Sequence, residues 1–95
     1  MQTPESREKA AIAKYVKKAG AWFCRPATFG YGVSGAPDII ACHRGRFIGI
    51  EVKREGKEPT GLQLRRLCAI RDSDGWAFWG TAEKVIPELR AHGIS

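Results

Sequence analysis

The order of elements in this chain predicts an α/β fold, a mixed sheet of about four strands flanked by helices. A capped, amphipathic helix opens it. Two β-rich runs joined by a tight turn follow, and a second capped helix, a further strand and a third helix close it. At 95 residues the chain reads as a single domain, 1–95, without internal repeat, low-complexity tract or linker.

Thr3 and Pro4 start the first helix as N-cap and first-turn proline, and Gly20 stops it after about Ala19. Its apolar stripe is Ile12, Tyr15, Val16 and Ala19, with Arg7, Lys14 and Lys18 on another face. Carried one turn at a time towards the N-terminus, the stripe takes in Glu8 and then Glu5, so both acids point towards the sheet. The plainer reading is that they complement the helix dipole. Residues 21–25 form the first strand and lead into a loop, 26–35, that combines three glycines with Phe29 and Tyr31. Two readings stay open for that loop: stacking on a distorted or unpaired nucleic-acid strand beside Arg25, or a turn-rich surface connection.

Residues 38–42 and 46–53 flank a His43-Arg44-Gly45 turn and read as a β-hairpin. With Arg44 and Gly45 as the two loop residues, His43 pairs with Arg46 and Asp38 falls opposite Glu51. This register asks Arg44 for a positive φ that suits it poorly, and a three-residue loop would slip the pairing by one. Side chains alternate, so Phe47, Gly49, Glu51 and Lys53 share one face and Ile48, Ile50 and Val52 the other. Opposed carboxylates roughly 5 Å apart at Cβ destabilise a sheet unless something compensates, and a divalent cation would. The ordinary alternative keeps Asp38 as a turn acid and Glu51 and Lys53 as exposed strand charges.

Beyond Lys53 the polar segment 54–61 is a loop, and Thr60 caps a helix running to about Asp72. Gln63 stands three residues after Thr60, a capping-box spacing that explains it structurally. It also lies on the Gln63, Leu67, Ile70 face at the end of the helix nearest Glu51, while Arg65 and Arg66 face outward. Residues 76–79 form another strand and Thr81 to about Ala91 a last helix, which Pro87 should bend or split. Trp22, Trp76 and Trp79 read as core and dimer packing.

The net charge of +6 suggests an anionic partner, and with Glu5, Glu8, Asp38 and Glu51 drawn towards one place the remaining surface is more basic still. Contacts to phosphate would weaken steeply with salt. No apolar run reaches the length of a membrane span and no signal peptide opens the chain, which predicts a cytoplasmic protein. Cys24, Cys42 and Cys68 are odd in number and lack a CxxC spacing, so neither a disulfide framework nor a zinc site is expected. So small a core makes dimerisation a natural way to bury more surface.

Pro37-Asp38 followed by Glu51-Val52-Lys53 resembles the motif of the PD-(D/E)xK nuclease superfamily. Within it the chain is similar to the VRR-NUC family, whose helix-borne glutamate, Gly-x-Pro-Asp strand, Glu-x-Lys strand and helix-borne glutamine are matched in order by Glu5, Gly35-Ala36-Pro37-Asp38, Glu51-Val52-Lys53 and Gln63. The strand pair also looks like that of the archaeal Holliday junction resolvases. The resemblance implies a restriction endonuclease-like core and a catalytic set of Asp38, Glu51, Lys53, Gln63 and Glu5, with Glu8 as the alternative to Glu5. The chain departs from many relatives in the loop 26–35, which often carries basic residues.

Asp38 and Glu51 offer hard oxygen ligands of the kind Mg²⁺ or Mn²⁺ prefers. The backbone carbonyl of Val52 offers another, and Glu5 or Glu8 completes the shell or holds bound water. Lys53 serves as a cation towards the scissile phosphate or orients the attacking water, not as a neutral base. Arg25, Tyr31, Arg54, Arg65 and Arg66 are the expected DNA contacts. The expectation is a metal-dependent DNA endonuclease acting as a homodimer on branched DNA such as Holliday junctions, because a two-fold dimer presents two paired cuts to a four-way junction. Shape readout suits a chain too small to carry a separate sequence-reading module. The alternatives are a non-catalytic subunit gripping branched or single-stranded DNA, and a nickase or restriction component that needs partner chains. A short nuclease of this kind would suit a phage or mobile element.

Overall fold

The structure, a computed structural model, describes residues 3–26 and 32–95. Its centre is a sheet of β1 (Trp22–Cys24), β2 (Ile39–His43), β3 (Arg46–Val52) and β4 (Trp76–Gly80), laid side by side in that order. The first three strands pair antiparallel and β4 joins β3 in parallel, giving the expected mixed sheet. Around it stand α1 (Pro4–Lys18), α2 (Gly61–Asp72) and α3 (Ala82–Ala91).

The helix boundaries follow from cap chemistry. Thr3, Thr60 and Thr81 each take a backbone N–H three residues on through the side-chain oxygen, which satisfies a donor the helix leaves free. Gly20, at φ 83°, supplies the left-handed turn beyond the end of α1. Helix α1 sinks Ile12, Ala13 and Val16 against the sheet face formed by Ile39, Ala41, Ile48, Ile50 and Val52, and α3 adds Val85 and Leu89 to the same core. Polar contacts also tie α1 to α3 and to the segment after it: the Glu8 carboxylate accepts the Ala82 N–H at 2.7 Å, and the Tyr15 hydroxyl donates to the Ile94 carbonyl at 2.6 Å. Helix α2 lies on the opposite face, against β3 and β4.

The hairpin takes the two-residue turn, with Arg44 at φ 51° and Gly45 at φ 82°. Left-handed backbone at Arg44 costs about 1–2 kcal/mol, offset because this turn's twist matches that of the strands it joins. Pairing then runs from His43↔Arg46 to Ile39↔Ile50. Pro87 does not split the last helix, which is continuous through ten residues. Glu83, whose carbonyl Pro87 leaves without an amide partner, is exposed, so water can take that hydrogen bond. The tryptophans divide: Trp76 and Trp79 are half-buried beneath Arg46 and Lys84, at 4.5 and 3.5 Å from the ring centres, whereas Trp22 is 64% exposed and belongs to no core. Among the described residues no helix is long and apolar enough to cross a membrane.

Candidate active site

Asp38 stands one step beyond the last paired residue of β2, so the register carries it opposite Glu51. Two glycines fix the approach. Gly35, at φ 76°, packs so closely on α2 that a Cβ would lie 2.8 Å from Leu62 Cγ. Gly49 leaves room for the Pro37 ring, since a Cβ there would lie 3.1 Å from Pro37 Cγ and 2.5 Å from Ile70 Cδ1. The Gly-Ala-Pro-Asp segment is thereby clamped between β3 and α2. Arg66 Nε adds a hydrogen bond to the Ser34 carbonyl at 2.9 Å.

Both oxygens of Asp38 are occupied: Oδ2 accepts the Val52 N–H at 2.8 Å, and Oδ1 lies 3.4 Å from Lys9 Nζ. Glu51 is only 3% exposed. Its Oε1 accepts from Gln63 Nε2 at 2.9 Å and lies 3.8 Å from Lys53 Nζ, while Oε2 is buried without a hydrogen-bond partner. Burial foremost, then the charge of Asp38, push the Glu51 carboxyl up to about 8; Lys53 pulls it down and Glu5 adds a final small push. A buried carboxylate oxygen with no partner pays a desolvation penalty that ordinary packing avoids.

Gln63 fills both roles that its position suggested. Its Oε1 accepts the Thr60 N–H at 2.8 Å, completing the capping box of α2, while Nε2 reaches Glu51. Glu8 is committed to the N-terminus of α3 through Ala82, and Glu5 is the helix acid whose charge acts on Glu51. Among the described residues no three carboxylate, imidazole or thiol side chains converge to hold a metal ion, so the close acidic set is the pair Asp38 and Glu51. The two ion pairs among the described residues are both here, Lys9–Asp38 and Lys53–Glu51. Lys9 was absent from the sequence-based set; its one signal is the four-residue spacing that puts it one turn from Glu5.

Asp38, Glu51 and Gln63 line a cleft of about 360 Å³ together with Pro26, Ser34 and Gly35. Val52 is buried beside it at the end of β3. Arg25, Arg54 and Arg65 are exposed, Arg66 is exposed but engaged with Ser34, and Tyr31 lies outside the described residues.

No family model matches the chain, and no curated protein matches it. Among solved structures it is similar to one named "VRR_NUC domain", at 27% identity and a TM-score of 0.80, over 96% of this chain and 98% of that one. The fold matches that of a VRR_NUC domain. At this coverage the likeness spans all three helices and all four strands, and it supports the VRR-NUC family and a nuclease domain.

Proposed function

We propose that this chain is a Mg²⁺- or Mn²⁺-dependent endodeoxyribonuclease that acts as a homodimer on branched DNA such as four-way junctions. The observation that carries the reading is Glu51, a buried carboxylate with one orphaned oxygen, held against Asp38 at the floor of a cleft. Two acids forced together in this way are a standing electrostatic debt that a hard cation would settle. A subunit that only grips DNA gains nothing from negative charge where phosphate must approach, and so the binder is the weaker reading.

The residues present fit such an ion. Asp38 and Glu51 would hold it, with the Val52 carbonyl as a further oxygen donor and Glu5 acting through water. A bound divalent ion supplies charge stabilisation at the scissile phosphate and a more acidic water. The chain's own groups do the rest. Val52 N–H fixes one oxygen of Asp38, and Gln63 fixes Glu51. Lys53 presents its ammonium beside Glu51, where it can steady the charge that builds on a phosphate oxygen. Arg25, Arg54 and Arg65 offer exposed cations for backbone phosphates. The homodimer rests on the small core and on the two-fold symmetry of paired cuts in a junction.

The test is cleavage of end-labelled four-way junction, flap and matched linear duplex with Mg²⁺, Mn²⁺ or EDTA, beside Glu51→Gln. Metal-dependent, paired cuts near the branch point that vanish in the variant are expected. Tight binding without cleavage under any metal would transfer the chain to the non-catalytic class.

A further inference from the structure

Lys9 stands on the face of α1 that the helix otherwise gives to its core. Counted on by three, four and seven residues it leads to Ile12, Ala13 and Val16, all buried against the sheet. Such a placement is unusual for a lysine of this chain: Lys14, Lys17, Lys18, Lys57 and Lys84 are exposed, while Lys9 and Lys53 are half-buried. Both half-buried lysines end at the carboxylate pair, Lys53 beside Glu51 and Lys9 beside Asp38. Nor does Lys9 take the acid nearest to it along the helix. Glu5 lies one turn back, in the order that favours an ion pair on a helix surface, yet the ammonium crosses to the sheet and faces Asp38 Oδ1. That contact is 3.4 Å, against about 2.7–2.9 Å for a charge-assisted hydrogen bond, so the ammonium can leave without breaking one.

We propose that Lys9 is a second phosphate-binding cation of the cleft, one that couples DNA binding to metal binding, an assignment that rests on the metal-dependent reading above. Val52 N–H fixes one oxygen of Asp38, so Oδ1, the oxygen that Lys9 faces, is the one left for a cation. The ammonium and a divalent ion therefore compete for the same atom. In the chain by itself each ammonium faces one carboxylate. With Asp38 and Glu51 both turned to a divalent ion, Lys9 and Lys53 lose their counter-charges together, and a phosphodiester carries the negative charge they then lack. Lysine suits such an exchange, being a compact point charge on a flexible stem. Arg66 and Arg71, by contrast, are each fixed to a backbone carbonyl. Lys9 reaches the cleft from α1 and Lys53 from the end of β3, so a phosphate held between them is oriented as well as neutralised. The coupling is reciprocal: DNA that draws Lys9 off Asp38 leaves Oδ1 free to take the metal.

Fluorescence anisotropy of a labelled four-way junction and its linear duplex, titrated with wild type, Lys9→Met, Lys9→Gln and Lys14→Met in EDTA and in Ca²⁺, tests the assignment. Ca²⁺ takes the same kind of oxygen ligand, gels verify that the DNA stays uncut, and circular dichroism verifies folding. Lys14 is an exposed lysine of the same helix and serves as the control. The quantity read is the factor by which Ca²⁺ raises DNA affinity, a double difference in which the uniform loss of one positive charge cancels. It should fall by about fivefold or more in both Lys9 variants, the lower end of ordinary couplings between sites, and keep its wild-type value in Lys14→Met. An unchanged factor in the Lys9 variants, an equal fall in Lys14→Met, or a wild type that binds Ca²⁺ without gaining DNA affinity overturns this assignment alone. A wild type that binds neither DNA, or that takes up neither Ca²⁺ nor Mn²⁺ in calorimetry, overturns the reading above and this one with it.

Discussion

Replacing Glu51 by glutamine should stabilise the metal-free protein in alkaline solution, even though it removes a residue of the proposed active site. The carboxyl titrates near 8 in the folded chain against an ordinary value of 4.5. Between those two values the native state binds the proton more tightly than the unfolded chain does, so stability is fully present below 4.5 and is lost as pH rises towards 8. Each unit of displacement corresponds to about 1.4 kcal/mol, which sets a ceiling on the order of 5 kcal/mol for the whole window. Glutamine avoids that loss. It keeps an acceptor for Gln63 Nε2 and turns the orphaned Oε2 into an amide beside Asp38, a donor next to an acceptor. The attraction of Lys53 already lowers the Glu51 value, so its loss in the variant is contained in that window. The net expectation in EDTA is a variant more stable than wild type by roughly 2–4 kcal/mol at pH 9 and within about 1 kcal/mol of it at pH 5. At about 4–8 °C per kcal/mol for a chain of this size, thermal melts followed by circular dichroism resolve the difference easily. Added Mg²⁺ should raise the wild-type Tm at pH 8 and leave that of the variant unmoved. Equal pH slopes for the two proteins, or a variant less stable at pH 9, would refute the reasoning.

Three further outcomes follow from the same contacts. Lys9→Met frees Asp38 Oδ1 from a tethered ammonium, so Mn²⁺ titrated calorimetrically should bind several-fold more tightly; weaker or unchanged binding would mean that Lys9 does not compete for that oxygen. Glu8→Ala removes the acceptor for Ala82 N–H and should cost about 1 kcal/mol in urea denaturation with junction cleavage preserved, whereas Glu5→Gln should leave stability alone and slow cleavage; the reverse pattern would exchange their roles. Gly49→Ala drives a methyl into Ile70 and Pro37 and should destabilise by about 1–3 kcal/mol in the same assay, while a neutral result would show that the Pro37 clamp yields freely.

The sequence discloses the site where the rules are local. Helix caps at Thr3 and Thr60, and the alternation that puts Asp38 opposite Glu51, depend on spacings of three residues and two. Lys9 escaped because its partner lies across a helix–sheet contact, 29 positions away, and no local pattern encodes that approach. The choice between Glu5 and Glu8 was equally out of reach, since it turns on where α3 begins in space. Trp22 misled for another reason. Its alternation was readable, but the face it points to is bare only because α2 covers β3 and β4 and stops short of β1.

Gln63 joins helix formation to the carboxylate pair through one amide group. The cap accepts either glutamine or glutamate at this position, because it uses only a side-chain oxygen. Glu51 needs the nitrogen. A single change, Gln63→Glu, therefore separates folding from chemistry: α2 keeps its start, while a third carboxylate replaces the donor that steadies the second. The cost of that step falls on Glu51 and not on the start of α2: a buried carboxyl loses its donor and gains a like charge, so position 63 is where the demands of the helix and of the carboxylate pair can be told apart.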